Sequence, residues 1–239
     1  VILVLASQQD PGAAALVAGW AGARLLTPAD LSLPGWALAA GPSSGTGAVA
    51  ARGVADGAPF ATDQVQLLVS LLGGVDAAQL GWITEEHREY VASEMTAFLG
   101  HWLTTLGSRC LVAPSYASLA GPCPPTATWA AAAGLPLATD RDVDRDVGTP
   151  RALMTVVADR VFRVGGSDSC EIDDALARRL CAMAASYDVP LLSAVVVRGA
   201  GTSLPRLQAV LPAPVVRTAE VRSAVRGLVE DVLLEEVAS

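Results

Sequence analysis

Residues 107–136 read GSRCLVAPSYASLAGPCPPTATWAAAAGLP, and this stretch divides the chain. The apolar run at 110–112 predicts a short buried strand. A loop rich in Pro and Gly follows, then an Ala-rich helix closed by Gly134 and Pro136. The stretch therefore reads as a hinge, with residues 1–136 forming an α/β domain and residues 137–239 a smaller α+β region.

Upstream, residues 1–6 (VILVLA) are a continuous apolar run suited to a strand buried on both faces. Asp10 and Pro11 then supply an N-cap and a proline at the first helical position. A helix over 13–21, stopped by Gly22, and a second strand over 24–26 complete a β-α-β start. The polar turn Ser7-Gln8-Gln9-Asp10 falls at the carboxyl end of the first strand, where open α/β sheets hold ligands. The same turn also suits a plain helix cap, and no GxGxxG or GxxxxGK[ST] pattern accompanies it. Residues 34–57 suggest a hairpin, with strand candidates at 36–40 and 47–54 and a turn at Asp56-Gly57, and 65–72 reads as a further buried strand or a short helix.

From Thr84 the pattern turns helical as far as Leu106. Glu85 and Glu86 suit the positive end of the helix dipole, and Val91, Met95, Phe98, Leu99, Trp102 and Leu106 make one apolar stripe expected to be core. His87 and His101 lie on this segment ~21 Å apart along a helix axis, too far to share a metal ion.

Beyond the hinge, DRDVDRD at 140–146 reads as a solvated linker whose four aspartates would attract a divalent ion only weakly. A hairpin is expected from 154–158 and 161–164 around Asp159-Arg160. A helix over 173–187 should turn Leu176, Leu180, Met183 and Ala184 inward. Two strands at 191–197 and 204–211 and a C-terminal helix at 218–237 follow, the last with Val221, Val225, Leu228, Val232 and Leu233 on one stripe.

Composition bounds the function. With 52% hydrophobic residues and a mean hydropathy of +0.44, the 239-residue chain has material for a real core. A net charge of -8, no basic block, and only three Tyr and three Phe argue against nucleic acid as a partner. No apolar run reaches the ~18 residues of a membrane span, and the opening lacks the basic start of a signal peptide; a cytoplasmic protein without membrane contact is expected. All 16 basic residues are Arg, which removes Schiff-base chemistry and any lysine on a phosphate. The cysteines at 110, 123, 170 and 181 form no CxxC and read as reduced thiols; Cys123, in GPCPP, is the most exposed of them. No GxSxG elbow occurs, and neither histidine lies near a strand end.

The order of these parts, with AFLGHWLTTLGSRCLVAPSYASLAGPCPPTATWAAAAGLPL, resembles bacterial ATP-grasp proteins of the RimK-like kind. ALMTVVADRVFRVGG, opening at Ala152, resembles that family's paired strands with a "gDRVfg" turn, and PLLSAVVV and LQAVLPAP resemble its last two strands. The resemblance implies a pre-ATP-grasp-like parallel sheet domain followed by a reduced α+β ATP-grasp-like region. In active members the last two strands hold ATP-bound Mg²⁺ with carboxylates and an Asn. Here residues 191–197 contain no Asp, Glu or Asn, 204–211 offer only Gln208, and the family's E-x-N-P is replaced by Ala209-Val210-Leu211-Pro212. The span from Pro136 to Met154 is also short for the small ATP-binding subdomain. A degenerate member results, one that binds a partner protein, a peptide or a small ligand without catalysis, with no cofactor and no metal. The alternative is an ATP-dependent carboxylate-amine ligase using other ligands. A surviving site is expected between the two regions, lined by Ser7, Gln8, Asp10, Pro114, Ser115, Tyr116, Ser118 and Arg160. A protein partner or a homodimer is expected too.

Overall fold

The computed structural model describes residues 1–38, 51–138, 151–166, 172–198, 205–211 and 213–238. The chain separates into two compact units, Val1–Ala120 with Val232–Ser239, and Gly121–Asp231.

In the first unit the opening apolar run forms β1 (Ile2–Leu5), in which Leu3, Val4 and Leu5 have no exposed surface. Such a run must be covered on both faces and flanked on both edges. Asp10 caps α1 (Pro11–Val17), its carboxylate accepting from the N–H groups of Gly12 at 2.8 Å and Ala13 at 3.3 Å. The helix ends well before Gly22, because Ala18 leaves helical geometry and Gly19 turns the chain at φ 71°. β2 (Ala23–Leu26) then runs parallel to β1.

A short helix α2 (Pro28–Leu31) leads toward a hairpin of β3 (Arg52–Ala55) and β4 (Ala58–Ala61). Asp56 and Gly57 both take positive φ, 48° and 67°, as a two-residue hairpin turn requires. Residues 52–55 pair forward with 58–61, and the two expected strands meet at one antiparallel bridge, Ala37 N–H donating to Arg52 O at 3.0 Å and Arg52 N–H to Ala37 O at 2.8 Å; residues 39–50 lie outside the described residues. Asp30 is almost fully buried, and accepts from Thr27 N–H at 2.9 Å, Thr27 Oγ1–H at 2.8 Å and Gly57 N–H at 3.0 Å. Those three bonds offset its desolvation and fasten α2 to the hairpin turn. β5 (Leu67–Ser70) completes a parallel sheet of order β2-β1-β5.

The long helix α3 (Arg88–Leu106) follows a single 3₁₀ turn at Glu85–His87. Its buried face is Ala92, Leu99, Trp102, Leu103 and Leu106. Val91, Met95 and Phe98, expected in the core, are only half-buried: Met95 and Phe98 line a cleft of about 300 Å³ with Leu31, Trp36 and Glu94. Trp102 anchors an aromatic cluster, with Trp36 at 5.5 Å and Phe60 at 6.1 Å between ring centroids. The expected strand at 110–112 contracts to one bridge between Leu68 and Cys110, with Leu111 N–H donating to Leu68 O at 2.9 Å. The chain bends at Leu111 and Val112, and Pro114 has no N–H with which to extend a ladder.

In the second unit, α4 (Thr126–Ala133) stops at Gly134, whose φ of 60° is the left-handed cap glycine favours. The sequence reading attaches this helix to residues 1–136; its contacts are with the elements that follow it. Strands β6 (Arg151–Val157), β7 (Arg160–Gly166), β8 (Leu191–Val197) and β9 (Arg206–Leu211) form an antiparallel sheet of order β7-β6-β8-β9. A Cβ on Gly166 would fall 2.0 Å from Arg151 O, so only glycine fits there. α5 (Asp174–Ala185) buries Leu176, Leu180, Met183 and Ala184, the four its periodicity predicts, and α4 packs on α5 and β9. The last helix, α6 (Ala219–Ala238), buries Val221, Val225 and Val229, while Leu228, Val232 and Leu233 are half-buried. No helix among the described residues is long and apolar enough to cross a membrane. The linker at 140–146 and Cys170 lie outside the described residues.

Candidate functional site

The eight residues singled out from the sequence fall in three places. Ser7, Gln8 and Asp10 stand at the carboxyl end of β1, where their polar atoms build the turn. Asp10 caps α1, Ser7 Oγ accepts from Gln9 N–H at 3.1 Å, and Gln8 Nε2 donates to Gln79 O at 2.5 Å. The first two bonds cap the helix and close the turn, and the third ties the turn to the carbonyl of Gln79.

Pro114, Ser115, Tyr116 and Ser118 share one wall of a groove of about 610 Å³ in the first unit. The other wall is a face of α3: Ser93, Thr96, Ala97, Gly100, His101 and Thr104 recur at spacings of three and four, which stacks them along one side of a helix. Sequence reasoning names the loop and misses this wall. Its signal is a stripe of small and hydroxyl-bearing residues interleaved with the apolar one.

The loop holds its shape through its own serines. Ser115 Oγ accepts from Ala117 N–H at 3.3 Å and Ser118 N–H at 3.2 Å, and the buried Ser118 Oγ accepts from Ala120 N–H at 3.1 Å. Leu119 N–H donates to Gly73 O at 2.9 Å. On the facing helix, Thr96 and Thr104 donate to the carbonyls of Ala92 and Gly100, each at 2.8 Å, and Thr96 Oγ1 accepts from Val75 N–H at 2.9 Å. The floor is small, since a Cβ on Gly100 would sit 3.7 Å from Leu119 Cδ2. His101 and Tyr116 are exposed at the rim, Tyr116 with its whole side chain in solvent. The lining carries no Asp, Glu, Arg or Cys. It therefore offers hydroxyl groups, an imidazole and an aromatic ring.

Arg160 lies in the second unit, its guanidinium 4.8 Å from the Phe162 ring centroid. It borders a groove of about 570 Å³ between the β6–β7 turn and α6, with Asp159, Glu220 and Asp231 around a floor of Ala219, Ser223 and Gly227.

The residues of β8 and β9 do not fit the magnesium-bound nucleotide that the family resemblance implies. A hard divalent cation needs oxygen ligands, chiefly carboxylates. The side chains of β8 are apolar apart from Ser193, and those of β9 are apolar apart from Arg206 and Gln208. Ser193 is fully buried and committed: its Oγ lies 2.7 Å from Thr155 Oγ1 and accepts from Val215 N–H at 2.9 Å, while Thr155 Oγ1 donates to Val215 O at 2.9 Å. Gln208 occupies the register shift between β8 and β9, with a buried Oε1 that has no hydrogen-bond partner among the described residues. Among the described residues, no three His, Cys, Asp or Glu side chains gather in a way that could hold a metal ion.

The thiols are similarly placed for structure. Burial pushes the Cys110 thiol up to about 11, against the pull of Arg109, and burial followed by the charge of Asp159 raises that of Cys181. Cys110, Cys123 and Cys181 are all free, and Cys123 is exposed but borders neither groove.

No protein-family model matches the chain, and no curated protein matches its sequence. Solved structures do match its fold. The macrocyclase MdnC of Microcystis aeruginosa MRC, bound with precursor peptide MdnA, is similar at TM-score 0.64 and 8% identity, over 97% of this chain and 100% of that one. A Chryseobacterium gregarium RiPP-associated ATP-grasp ligase, in complex with ADP and a leader and core peptide, gives 0.60 and 9% over 98% and 96%. The ATP-grasp ligase PsnB, complexed with minimal precursor, Mg and ADP, gives 0.56 and 12% over 100% and 98%. The fold is ATP-grasp-like.

Proposed function

We propose that this chain is a non-catalytic, RimK-like member of the ATP-grasp fold that recognises an extended peptide, or a segment of a partner protein, in the α3 groove. The observation that carries this reading is the state of β8 and β9. Where active members place magnesium ligands, these strands have aliphatic side chains and a serine already bonded to its own chain. A peptide is the favoured ligand class because two of the similar solved structures hold one, a precursor peptide in MdnC and a leader and core peptide in the Chryseobacterium gregarium ligase. Its dimensions agree. From Ser93 to Thr104 the helix rises about 16 Å, the length of roughly five extended residues. The exposed Ser93 and Thr104 hydroxyls would bind main-chain groups and the Tyr116 ring one apolar side chain, with Ser115 and Ser118 holding the loop in shape. The protein would act in the cytoplasm, as a homodimer or with a protein partner.

Isothermal calorimetry with ATP and Mg²⁺ tests the non-catalytic part. No binding is expected at millimolar nucleotide. Micromolar, Mg-dependent binding would overturn the reading and favour the second one, an ATP-dependent carboxylate-amine ligase with other ligands, which the shared fold with PsnB in its Mg and ADP complex supports. The groove is tested by selecting peptides from a random display library on the full chain and measuring them against Gly100→Phe, which fills the floor. Selected peptides should lose at least about tenfold in affinity; unchanged binding would remove the groove from the proposal.

A further inference from the structure

The cleft of about 300 Å³ on α3 differs in character from both larger grooves. Its walls are Leu31 of α2, Trp36, and Glu94, Met95 and Phe98 of α3. Trp36 and Phe98 meet edge-on, 5.4 Å between ring centroids, and the Trp36 indole N–H donates to Asp30 O at 3.0 Å. That N–H is the only hydrogen-bond donor among the five side chains, so none is left for a ligand. The one charged group is the Glu94 carboxylate, which is exposed and has no ion-pair partner among the described residues. Two aromatic rings, two apolar walls and a lone carboxylate suit a cation on an apolar stem, and they offer nothing to an anion.

The cations of this unit are engaged or turned elsewhere. Residues 1–120 contain no Lys, and their arginines are Arg24, Arg52, Arg88 and Arg109. Arg24 donates to the carbonyls of Ala55, Ala58 and Pro59, Arg88 Nε to Ile83 O at 2.9 Å, and Arg109 Nη1 to Thr62 O at 2.7 Å. Arg52 bridges Ala37 through its backbone, and a Cβ on Gly53 would fall 3.0 Å from Trp36 Cη2, so the alternation of β3 turns Arg52 away from that ring. His87 lies 3.5 Å from Glu86, and His101 lines the other groove. Glu85, Glu86 and Glu89 precede Glu94 on the same segment and deepen the negative field around it.

We propose that this cleft receives an arginine side chain presented by another protein. The aliphatic stem lies against Leu31 and Met95, and the guanidinium meets the aromatic rings and donates to the Glu94 carboxylate. Arginine suits the cleft better than lysine, because its planar fork gives a carboxylate two parallel bonds and its weakly hydrated ion packs on aromatic rings. A peptide-borne arginine suits it better than the free amino acid, whose α-carboxylate would find no donor. The site is separate from the α3 groove: Ser93 lines that groove and Glu94, the next residue, lines the cleft.

The test uses the full chain with carbon-13 methyl-labelled methionine. The chain has three methionines, and Met154 and Met183 have no exposed surface, so Met95 alone reports on the cleft. N-acetyl-arginine methylamide should shift the Met95 signal with half-saturation below about 10 mM and leave the other two in place. The citrulline counterpart, alike in shape but uncharged, should bind at least about tenfold more weakly, and Glu94→Gln should weaken the arginine amide by a similar factor. The lysine amide, choline and free arginine should each bind less tightly, and a glycine-serine heptapeptide with a central arginine at least as tightly. Glu94 is exposed, so its variant should keep the wild-type melt; Phe98→Leu, which removes a ring, should also weaken binding and serves if it does not. Gly100→Phe should leave this binding unchanged, which separates it from the groove. The proposal is overturned by no Met95 shift up to about 100 mM arginine amide, by equal binding of citrulline, by tighter binding of lysine, choline or free arginine, by a heptapeptide that does not bind, or by full affinity in both cleft variants. A Met95 signal that moves with protein concentration alone would give the cleft to a second copy and overturn it too.

Discussion

Thr104 and Ser193 carry the same functional group in opposite settings. Thr104 lines an open groove on α3 and donates to the carbonyl one turn back at 2.8 Å. Ser193 sits at the centre of an antiparallel sheet with no exposed surface, holding Thr155 on one side and the main chain at Val215 on the other. A hydroxyl in the first setting can exchange water for a ligand. One in the second can only be lost at the expense of the fold. The two hydroxyls thus differ in availability: the one on α3 faces an open groove, whereas the one on β8 is held inside the sheet.

The largest expected effect lies behind the groove. Trp102 is almost fully buried, packed against Trp36 and Phe60 in one aromatic cluster. Trp102→Ala should cost about 3–5 kcal/mol, seen as a lower urea midpoint with an unchanged slope. A loss below about 1 kcal/mol would mean that the cluster does not support the α3 face.

Ser193→Ala comes next. It leaves Val215 N–H without its acceptor and Thr155 without its neighbour, so about 1–3 kcal/mol should be lost. The same measurement on Ser193→Asp decides a sharper question. If that variant stays folded and acquires Mg²⁺-dependent stabilisation, the sheet has kept a metal-binding geometry and lacks only the ligand.

The third effect depends on pH. Cys110 is buried beside Leu103 O, and its thiol is raised from an ordinary 9.0 to about 11. The folded state therefore holds a proton that the unfolded chain releases first. The stabilisation is complete below about pH 9 and falls as pH rises toward 11, with a slope of at most about 1.4 kcal/mol per pH unit. Cys110→Ala should flatten the part of the stability curve between these values; an unchanged curve would show that the thiol is not buried in its neutral form.

How much of this could be read from the residues depended on whether the signal was local. β1, the Asp10 cap and the inward face of α5 follow from runs and periodicities within a few residues, and each is found where expected. The absence of Asp, Glu and Asn from β8 and β9 is legible for the same reason, since it concerns side chains on two short strands. Pairing was harder. Nothing near Trp36 says that its ring stacks edge-on to Trp102, or that residues 52–55 pair forward with 58–61. The α3 wall was hidden because Ala97, Gly100 and Thr104 give no hydrophobic signal, and their importance comes from the loop that faces them. Ser7 and Gln8 show the converse: they lie at a strand end where ligands often bind, yet Ser7 closes its own turn and Gln8 ties that turn to Gln79 O.

The smallest expected change in stability is at Thr104, and it is the one that tests the contrast most directly. Its hydroxyl is solvent-facing and bonded only to its own helix, so Thr104→Val, nearly the same shape, should alter stability by no more than about 0.5 kcal/mol. Binding should respond differently. If a peptide lies along Ser93–Thr104, removal of one hydroxyl at the end of the groove should weaken selected peptides by about three- to tenfold, with Ser193→Val showing the opposite pattern of a stability loss and unchanged affinity in the folded fraction. Thermal melts and anisotropy on the same two samples would show whether the effects separate. Should both variants lose stability alike and leave affinity alone, the groove hydroxyls would be structural too, and recognition would have to be sought outside the groove.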